Sequence, residues 1–393
     1  MDLVPGVVQI HDDMIRWRHD FHRSPEMSFR EIRTAAKVAE LLRSFGLDEA
    51  LEGVGTTGVV GVLKNGDGPA IGLRADMDAL ALGDQGEHDH RSAADGITHA
   101  CGHDGHISML LGAAKYLSST RRFRGTVVFV FQPAEEITRG AQGMLEHGFL
   151  EHYGLRSIYA MHSSPGLAVG RMSITPGTAL AGVDNFTITV TGRSGHAGVP
   201  HLARDPIVAA AAMISGLQTI VSRTVDPIDS VVVSVTSLQS SSNLHNVIPE
   251  TVRIMGTVRY LNPAYSDPVS TEIKAIVDGV AAAHGVKVFV EYERNCPPLV
   301  NSSPAYELAT GVVRALLGDG GLEQLPPIMG GEDFAYFLER IPGVFAFIGN
   351  GEDSAPLHNA VFDFNDQALP IGASYFVRLV EATLAPCPQL RRS

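Results

Sequence analysis

The chain has 393 residues, 45% hydrophobic and 19% charged, a globular balance that leaves no disordered bulk and at this length points to two domains. Thirty basic side chains against 43 acidic ones give a formal charge of -13, which argues against a nucleic-acid partner, since such binders carry a basic surface. Residues 1–22 interrupt their apolar positions with charges, so they predict neither a secretory leader nor a membrane span, and a cytoplasmic protein without membrane contact is expected.

Apolar residues recur at helical spacing over residues 7–21 and 30–45, the second run closing at Gly46, where a left-handed cap is favoured. Residues 59–64 and 70–77 read as strands, and Asn65-Gly66-Asp67-Gly68 between them predicts a hairpin, because these residues tolerate positive φ. Asp76 and Asp78 fall where the second strand ends, the edge at which ligands gather in layered α/β folds. For Asp78 a turn or helix-cap role is the alternative. Residues 80–97 are polar and irregular and predict a surface loop. Asp104 is placed to cap a helix running through Ile107, Leu110, Leu111, Ala114 and Leu117. Residues 125–131 form a nearly continuous apolar run, as in a buried central strand, and end directly before Gln132-Pro133-Ala134-Glu135-Glu136. A further short strand, residues 157–161, is expected to stop at His162.

Residues 98–106 read T-H-A-C-G-H-D-G-H, a thiol and three imidazoles within eight residues, followed some thirty residues later by paired carboxylates. That mixture of donors suits zinc and its first-row neighbours. Adjacent carboxylates at a strand end are costly to bury unless a cation compensates them. Cys101, Cys296 and Cys387 are too few and too widely spaced for a secreted disulfide framework, so Cys101 is expected to be a thiolate ligand. The alternative is a small buried hydrophobe beside histidines satisfied within loops.

The texture changes after Gly182. Alternation or helical spacing marks a strand at 184–193, a helix at 205–223, strands at 230–238 and 250–260, a helix at 266–283 and a strand at 286–292. The order β-α-β-β-α-β is that of a ferredoxin-like split βαβ unit, expected as an insertion over residues 182–295. Pro297-Pro298 marks the return to the first domain, residues 1–181 and 296–393. There follow helices at 304–316 and 332–339, a buried strand at 345–348, His358 in a P-L-H-N loop, and a last helix from about Asp366.

The segments R-A-D-M-D-A-L at 74–80, H-A-C-G-H-D-G-H at 99–106 and Q-P-A-E-E at 132–136 resemble the M20 family of metallopeptidases and amidohydrolases. The branch is that of hippurate hydrolases, N-acyl-amino-acid amidohydrolases and auxin-conjugate hydrolases. G-H-A at 195–197, N-V-I-P at 246–249, G-G-E-D-F at 330–334 and L-H-N at 357–359 extend the likeness over nearly the whole chain. The resemblance implies an α/β catalytic domain, its central mixed sheet flanked by helices, with the inserted unit as a lid and dimerisation domain. It also implies two divalent ions per subunit, Zn2+ or Mn2+ first and Co2+ or Ni2+ next, held by Cys101, His103, Glu136, His162 and His358. Glu135 would be the general acid and base, Asp78 an acid orienting a ligand, His196 an oxyanion donor supplied in some relatives by the facing subunit, and Asn246 a substrate contact.

The implied reaction is hydrolysis of the amide of an N-acyl amino acid or a similar small conjugate by a homodimer or higher homo-oligomer. A dipeptidase or arylamide deaminase with the same metals is the alternative within the class, and a silent metal-dependent binder the alternative outside it. An intact Glu135 speaks against the binder. In other M20 branches a histidine ligand stands at the position of Asp76, which is therefore kept out of the ligand set, as is His106. The chain departs from its relatives at Ile137-Thr138-Arg139-Gly140, Ser163-Ser164 and Leu244-His245, positions expected to line the substrate pocket.

Overall fold

The computed structural model describes residues 1–384, so Cys387 lies outside the described residues. The described chain divides into two compact units: Met1–Ala179 with Val300–Pro326 and residues 333–384, and Leu180–Leu299 with Pro327–Glu332.

The first unit is built on an eight-stranded mixed sheet in the order Glu49–Val54, Gly58–Asn65, Gly125–Gln132, Ala70–Asp76, Leu155–Pro165, Gly343–Gly351, Met172–Ser173, Leu322–Glu323. Its four central strands, Gly125–Gln132 to Gly343–Gly351, run parallel. Their register sets Asp76 opposite Gln132, and Arg74 opposite Ala160. Two residues further on, His162 therefore comes level with Asp76, and one sheet edge gathers the polar residues that the central strands carry.

Helix His103–Thr120 packs on strand Ala70–Asp76 and is covered by helices His11–Arg23 and Leu369–Thr383. Helix Ile32–Ser44 buries Ala35, Val38, Ala39 and Leu42, an i, i+3, i+4, i+7 stripe, and ends before Gly46 at φ +77°. Helix His11–Arg23 carries Asp12 and Asp13 in its first turn and His22 and Arg23 in its last, each sign favourable to the helix dipole.

Three expectations are corrected here. No hairpin forms across residues 65–68: Gly125–Gln132 lies between the two strands and pairs with both. These strands are buried on both faces, so no polar side held them next to each other, and the most continuous apolar run took the central place. Gly58–Asn65 instead forms its hairpin with the unforeseen strand Glu49–Val54, through Gly55 and Thr56 at φ +62° and +93°. Strand Leu155–Pro165 runs through His162 instead of stopping there. Asp104 does not cap helix His103–Thr120, which starts after Gly102 at φ +88°; its carboxylate faces Arg18 at 3.2 Å and His22 at 2.8 Å. Arg18 and His22 claim the carboxylate, while the first-turn N–H groups of Gly105 and His106 bond to the carbonyl of Gly102.

The second unit has a four-stranded antiparallel sheet in the order Val231–Ser240, Thr251–Tyr260, Gly182–Thr191, Lys287–Cys296, with helices Pro206–Thr219 and Ser266–His284. By length and composition Pro206–Thr224 is apolar enough to cross a membrane, but Ala209, Ala210, Met213 and Leu217 belong to this unit's own core. A two-stranded ribbon pairs Gly195–His196 with Val247–Ile248. Ala181 donates its N–H to the carbonyls of Ile328 and Gly330, which ties Pro327–Glu332 to this unit, a segment the pattern of strands and helices gave no reason to place there.

Candidate metal centre

At the polar edge of the first unit, the loop ahead of helix His103–Thr120 brings in Cys101 and the first helical turn brings in His103 and His106. The turn after Gly125–Gln132 adds Glu135 and Glu136, and strand Leu155–Pro165 adds His162. His358 arrives on a loop residue at φ +59°, a strained backbone for a side-chain-bearing residue, fixed by its N–H bond of 2.8 Å to the carbonyl of Ala100.

The histidine tautomers follow from their partners. His103 Nδ1 lies 2.8 Å from the carbonyl oxygen of Asp78, and His162 Nδ1 lies 2.8 Å from that of Ser163. A carbonyl only accepts, so both Nδ1 atoms carry the proton, and Nε2 is the nitrogen that presents a lone pair once the ring is neutral. His162 Nε2 faces Cys101 Sγ at 3.3 Å. His103 Nε2 lies 3.8 Å from Glu136 Oε1, and His358 Nε2 lies 3.4 Å from Glu136 Oε2. The five residues expected as ligands thus share one cluster. His106 is close enough to join a donor group with Asp76, His103 and His162, but both its nitrogens are engaged. Nε2 accepts from the N–H of Ser163 at 2.9 Å, and Nδ1 donates to Asp76 Oδ1 at 2.6 Å.

Asp78 ties the cluster together. One carboxylate oxygen accepts the N–H of Glu135 and the other that of Glu136, each at 3.0 Å, and the hydroxyl of Ser28 adds a bond of 2.7 Å. The preceding Ala134 sits at φ +52°, and its N–H is held by Glu31 Oε1 at 2.9 Å. The Glu135-Glu136 turn is therefore fastened from below by two acids. Glu135, 8% exposed, shares a donor group with His103 and Glu136.

The donor set fits a divalent cation. His103 Nε2 and Glu136 Oε1 are buried without a hydrogen-bond partner, which is costly unless a further group completes them. Burial pushes the Cys101 thiol well above its ordinary range and the Glu136 carboxyl up to about 7. A cation would reverse both shifts, since it favours thiolate and carboxylate.

His196 and Asn246 lie in the second unit. His196 is exposed on the ribbon, its Nδ1 accepting the N–H of Gly198 at 2.9 Å, and the carbonyl of Asn246 accepts the N–H of Ala197 at 3.0 Å. The neutral imidazole so held carries its proton on Nε2. Of the positions expected to line a pocket, Ser163 does not: it is 1% exposed, and its hydroxyl donates to the carbonyl of Cys101 at 3.1 Å. Ile137 and Leu244 are exposed.

Sequence reasoning missed the layer beneath. Arg74, fully buried, donates to Gln132 Oε1 at 2.9 Å and Asp76 Oδ2 at 2.8 Å and pairs with Asp333 Oδ1 at 3.3 Å. Burial opposes ionisation of Asp76, but the imidazolium form of His103 and the Arg74 guanidinium together hold it well below the usual carboxylate range. The only signal was Arg74 and Asp76 two apart on a strand, hence on one face. Arg74→Met keeps the bulk and removes the charge, leaving two buried acids short of a cation. Urea unfolding should show a loss of about 3–5 kcal/mol; a loss below about 1 kcal/mol would mean that the acids are compensated elsewhere.

Residues 72–382 match the profile of Peptidase family M20/M25/M40. The chain is 38% identical to a hippurate hydrolase of Campylobacter jejuni over 96% of its own length and 98% of the relative's. To an N-acetylcysteine deacetylase of Bacillus subtilis it is 37% identical, over 95% and 97%. Among solved structures, the YXEP protein of Bacillus subtilis, a dinuclear metal-binding peptidase from the M20 family, superposes with a TM-score of 0.84 at 34% identity, covering 96% of this chain and 99% of that one.

Proposed function

The chain belongs to peptidase family M20/M25/M40, and on that premise we propose that it is a metal-dependent amidohydrolase cleaving the amide of N-acyl amino acids or similar small conjugates. The observation that carries the reading is the convergence of buried Cys101, His103 and His162 with part-buried Glu136 and exposed His358 beside Glu135, with His103 Nε2 and Glu136 Oε1 unpartnered. These five residues would hold two divalent ions, Zn2+ or Mn2+ by their mixture of thiolate, imidazole and carboxylate. When bound, such ions supply Lewis acidity, which polarises a carbonyl and acidifies water.

The remaining work falls to the chain. Glu135 takes a proton from the attacking water on its carboxylate and passes it to the amide nitrogen as the C–N bond breaks, releasing a carboxylic acid and an amine. Asp78 keeps Glu135 and Glu136 at a fixed spacing through their backbone N–H groups. His196 Nε2–H serves as a donor to the carbonyl oxygen, on which negative charge develops, and Asn246 on the same ribbon contacts substrate. Support for the substrate class comes from relatives named for hippurate and N-acetylcysteine.

Metal-loaded protein should release free amine from a panel of N-acyl amino acids and fall silent after chelation. Cys101→Ser should weaken metal retention, because a hydroxyl is a far poorer ligand than a thiolate. Full metal content and rate in that variant would place Cys101 outside the ligand set. Amine release only from dipeptides in the same panel would replace the acyl-amino-acid reading.

A further inference from the structure

The first unit holds a second group of histidines that this reaction does not use. His19 stacks on His90 with ring centroids 3.8 Å apart, and His90 on His88 at 3.9 Å. The ring of His22 meets His88 edge-on at 5.1 Å. Arg18 lies among them, paired with Asp104 at 3.2 Å, Asp363 at 2.8 Å and Asp366 at 2.5 Å, and Asp84 Oδ2 stands 3.3 Å from His22 Nε2. Four carboxylates face one guanidinium and the His22 imidazole, which leaves negative charge in excess even with that ring protonated, and the side chains of two of the acids, Asp84 and Asp104, are buried, where such an excess is costly.

Two details point to a cation as the missing partner. Both ring nitrogens of His88 are shielded from solvent and neither has a hydrogen-bond partner, although the ring sits on a loop that could have turned it to water. Gly86 leaves room for that ring: a Cβ there would collide with His88 Nε2. The second detail is His22, whose Nδ1 donates to Asp104 Oδ2 at 2.8 Å. A carboxylate on one ring nitrogen is the arrangement that orients a ligating histidine; the other nitrogen faces Asp84 Oδ2 at 3.3 Å, a contact that a cation held by both groups would replace. Arg18 and His90 both face Asp363 Oδ1, at 2.8 and 3.0 Å, so the other oxygen remains for a cation. A ring nitrogen of His22, one of His88 and an oxygen of Asp363 lie within 4.8 Å of one another.

We propose that His22, His88 and Asp363 form a further divalent-cation site, distinct from the centre at Cys101, with Asp84 as a fourth donor and Zn2+ as the cation that best suits two imidazoles and carboxylates. The ion offsets the excess negative charge and fastens the loop carrying Asp84, His88 and His90 to helix His11–Arg23 and to the segment of Asp363. Its role is structural, because all three ligands stand outside the residues assigned to catalysis.

The test uses the full chain, stripped with a chelator and dialysed against one buffered concentration of Zn2+ alone. At equal free zinc, His88→Gln should hold about one ion fewer than the unaltered protein and gain less in melting temperature from zinc, with amine release unchanged. Asp363→Asn should lose the same ion, which secures the result should either variant fold poorly. Zinc content equal to the unaltered protein in the folded variants overturns the site and leaves the cluster a network of ion pairs. Cys101→Ser, measured alongside, reports on the other centre: a zinc deficit there together with none in His88→Gln supports that centre and overturns this one. The thiolate-to-cobalt absorption of the Co2+-loaded protein should survive in His88→Gln and vanish in Cys101→Ser; its loss in His88→Gln would mean that the two centres are not separate and also overturns the proposal.

Discussion

Glu135→Gln should lower turnover by about 10²–10⁴-fold, the range typical of general acid-base catalysis, with metal content at the wild-type level. The substitution keeps size and one carbonyl oxygen but removes the atom pair that can take up a proton. The backbone N–H of residue 135 still bonds to Asp78, since that contact does not involve the side chain, so the turn should stay in place. Metal analysis beside the rate measurement separates the two roles open to this residue. Because a carboxylate oxygen of Glu135 lies within 4.8 Å of donor atoms of His103 and Glu136, a parallel loss of metal would make it a ligand. An unimpaired rate would remove it from the chemistry.

His196→Ala should lower kcat by about 10²–10³-fold and leave metal content and KM little changed, the signature of a donor that acts mainly in the transition state. The bond from the N–H of Gly198 to Nδ1 fixes which nitrogen can donate, so His196→Gln, with an amide N–H at similar reach, should recover more rate than His196→Ala. Whether the donor serves its own chain or a second copy is open to a mixing experiment. Inactive Glu135→Gln and His196→Ala chains, combined under conditions of subunit exchange, regain activity only if the histidine crosses between subunits. A normal rate for His196→Ala would end its role in either case.

The sequence was most legible where chemistry restricts the choice of residue. A thiol, imidazoles and paired carboxylates at loop and strand ends are hard to explain without a metal, and the helices with clear apolar stripes lie close to their expected spans. Pairing was less legible. Strands Gly58–Asn65, Ala70–Asp76 and Gly125–Gln132 are apolar on both faces, and such strands carry no side preference that would tell a neighbour in the chain from a neighbour in the sheet. The Asn-Gly signal at residues 65–66 marked a real turn but not the pairing beyond it. Asp104 misled because its cap position is sound locally, while Arg18 and His22, more than eighty residues away in sequence, claim the carboxylate. The buried Arg74 gave almost no signal, since its partners Gln132 and Asp333 come from distant segments.

Asp78 grips Glu135 with one oxygen and Glu136 with the other, while its own carbonyl sets the tautomer of His103. A single residue thereby couples the proposed base to two of the proposed metal ligands, so that a change in one is felt by the others. Such a knot resists gradual retuning: on the proposed roles, mutations that shift the base would also disturb the groups proposed to hold the ion. Diversification of a chain built this way is pushed outward, to exposed positions such as Ile137 and Leu244, where a substitution leaves these hydrogen bonds as they were.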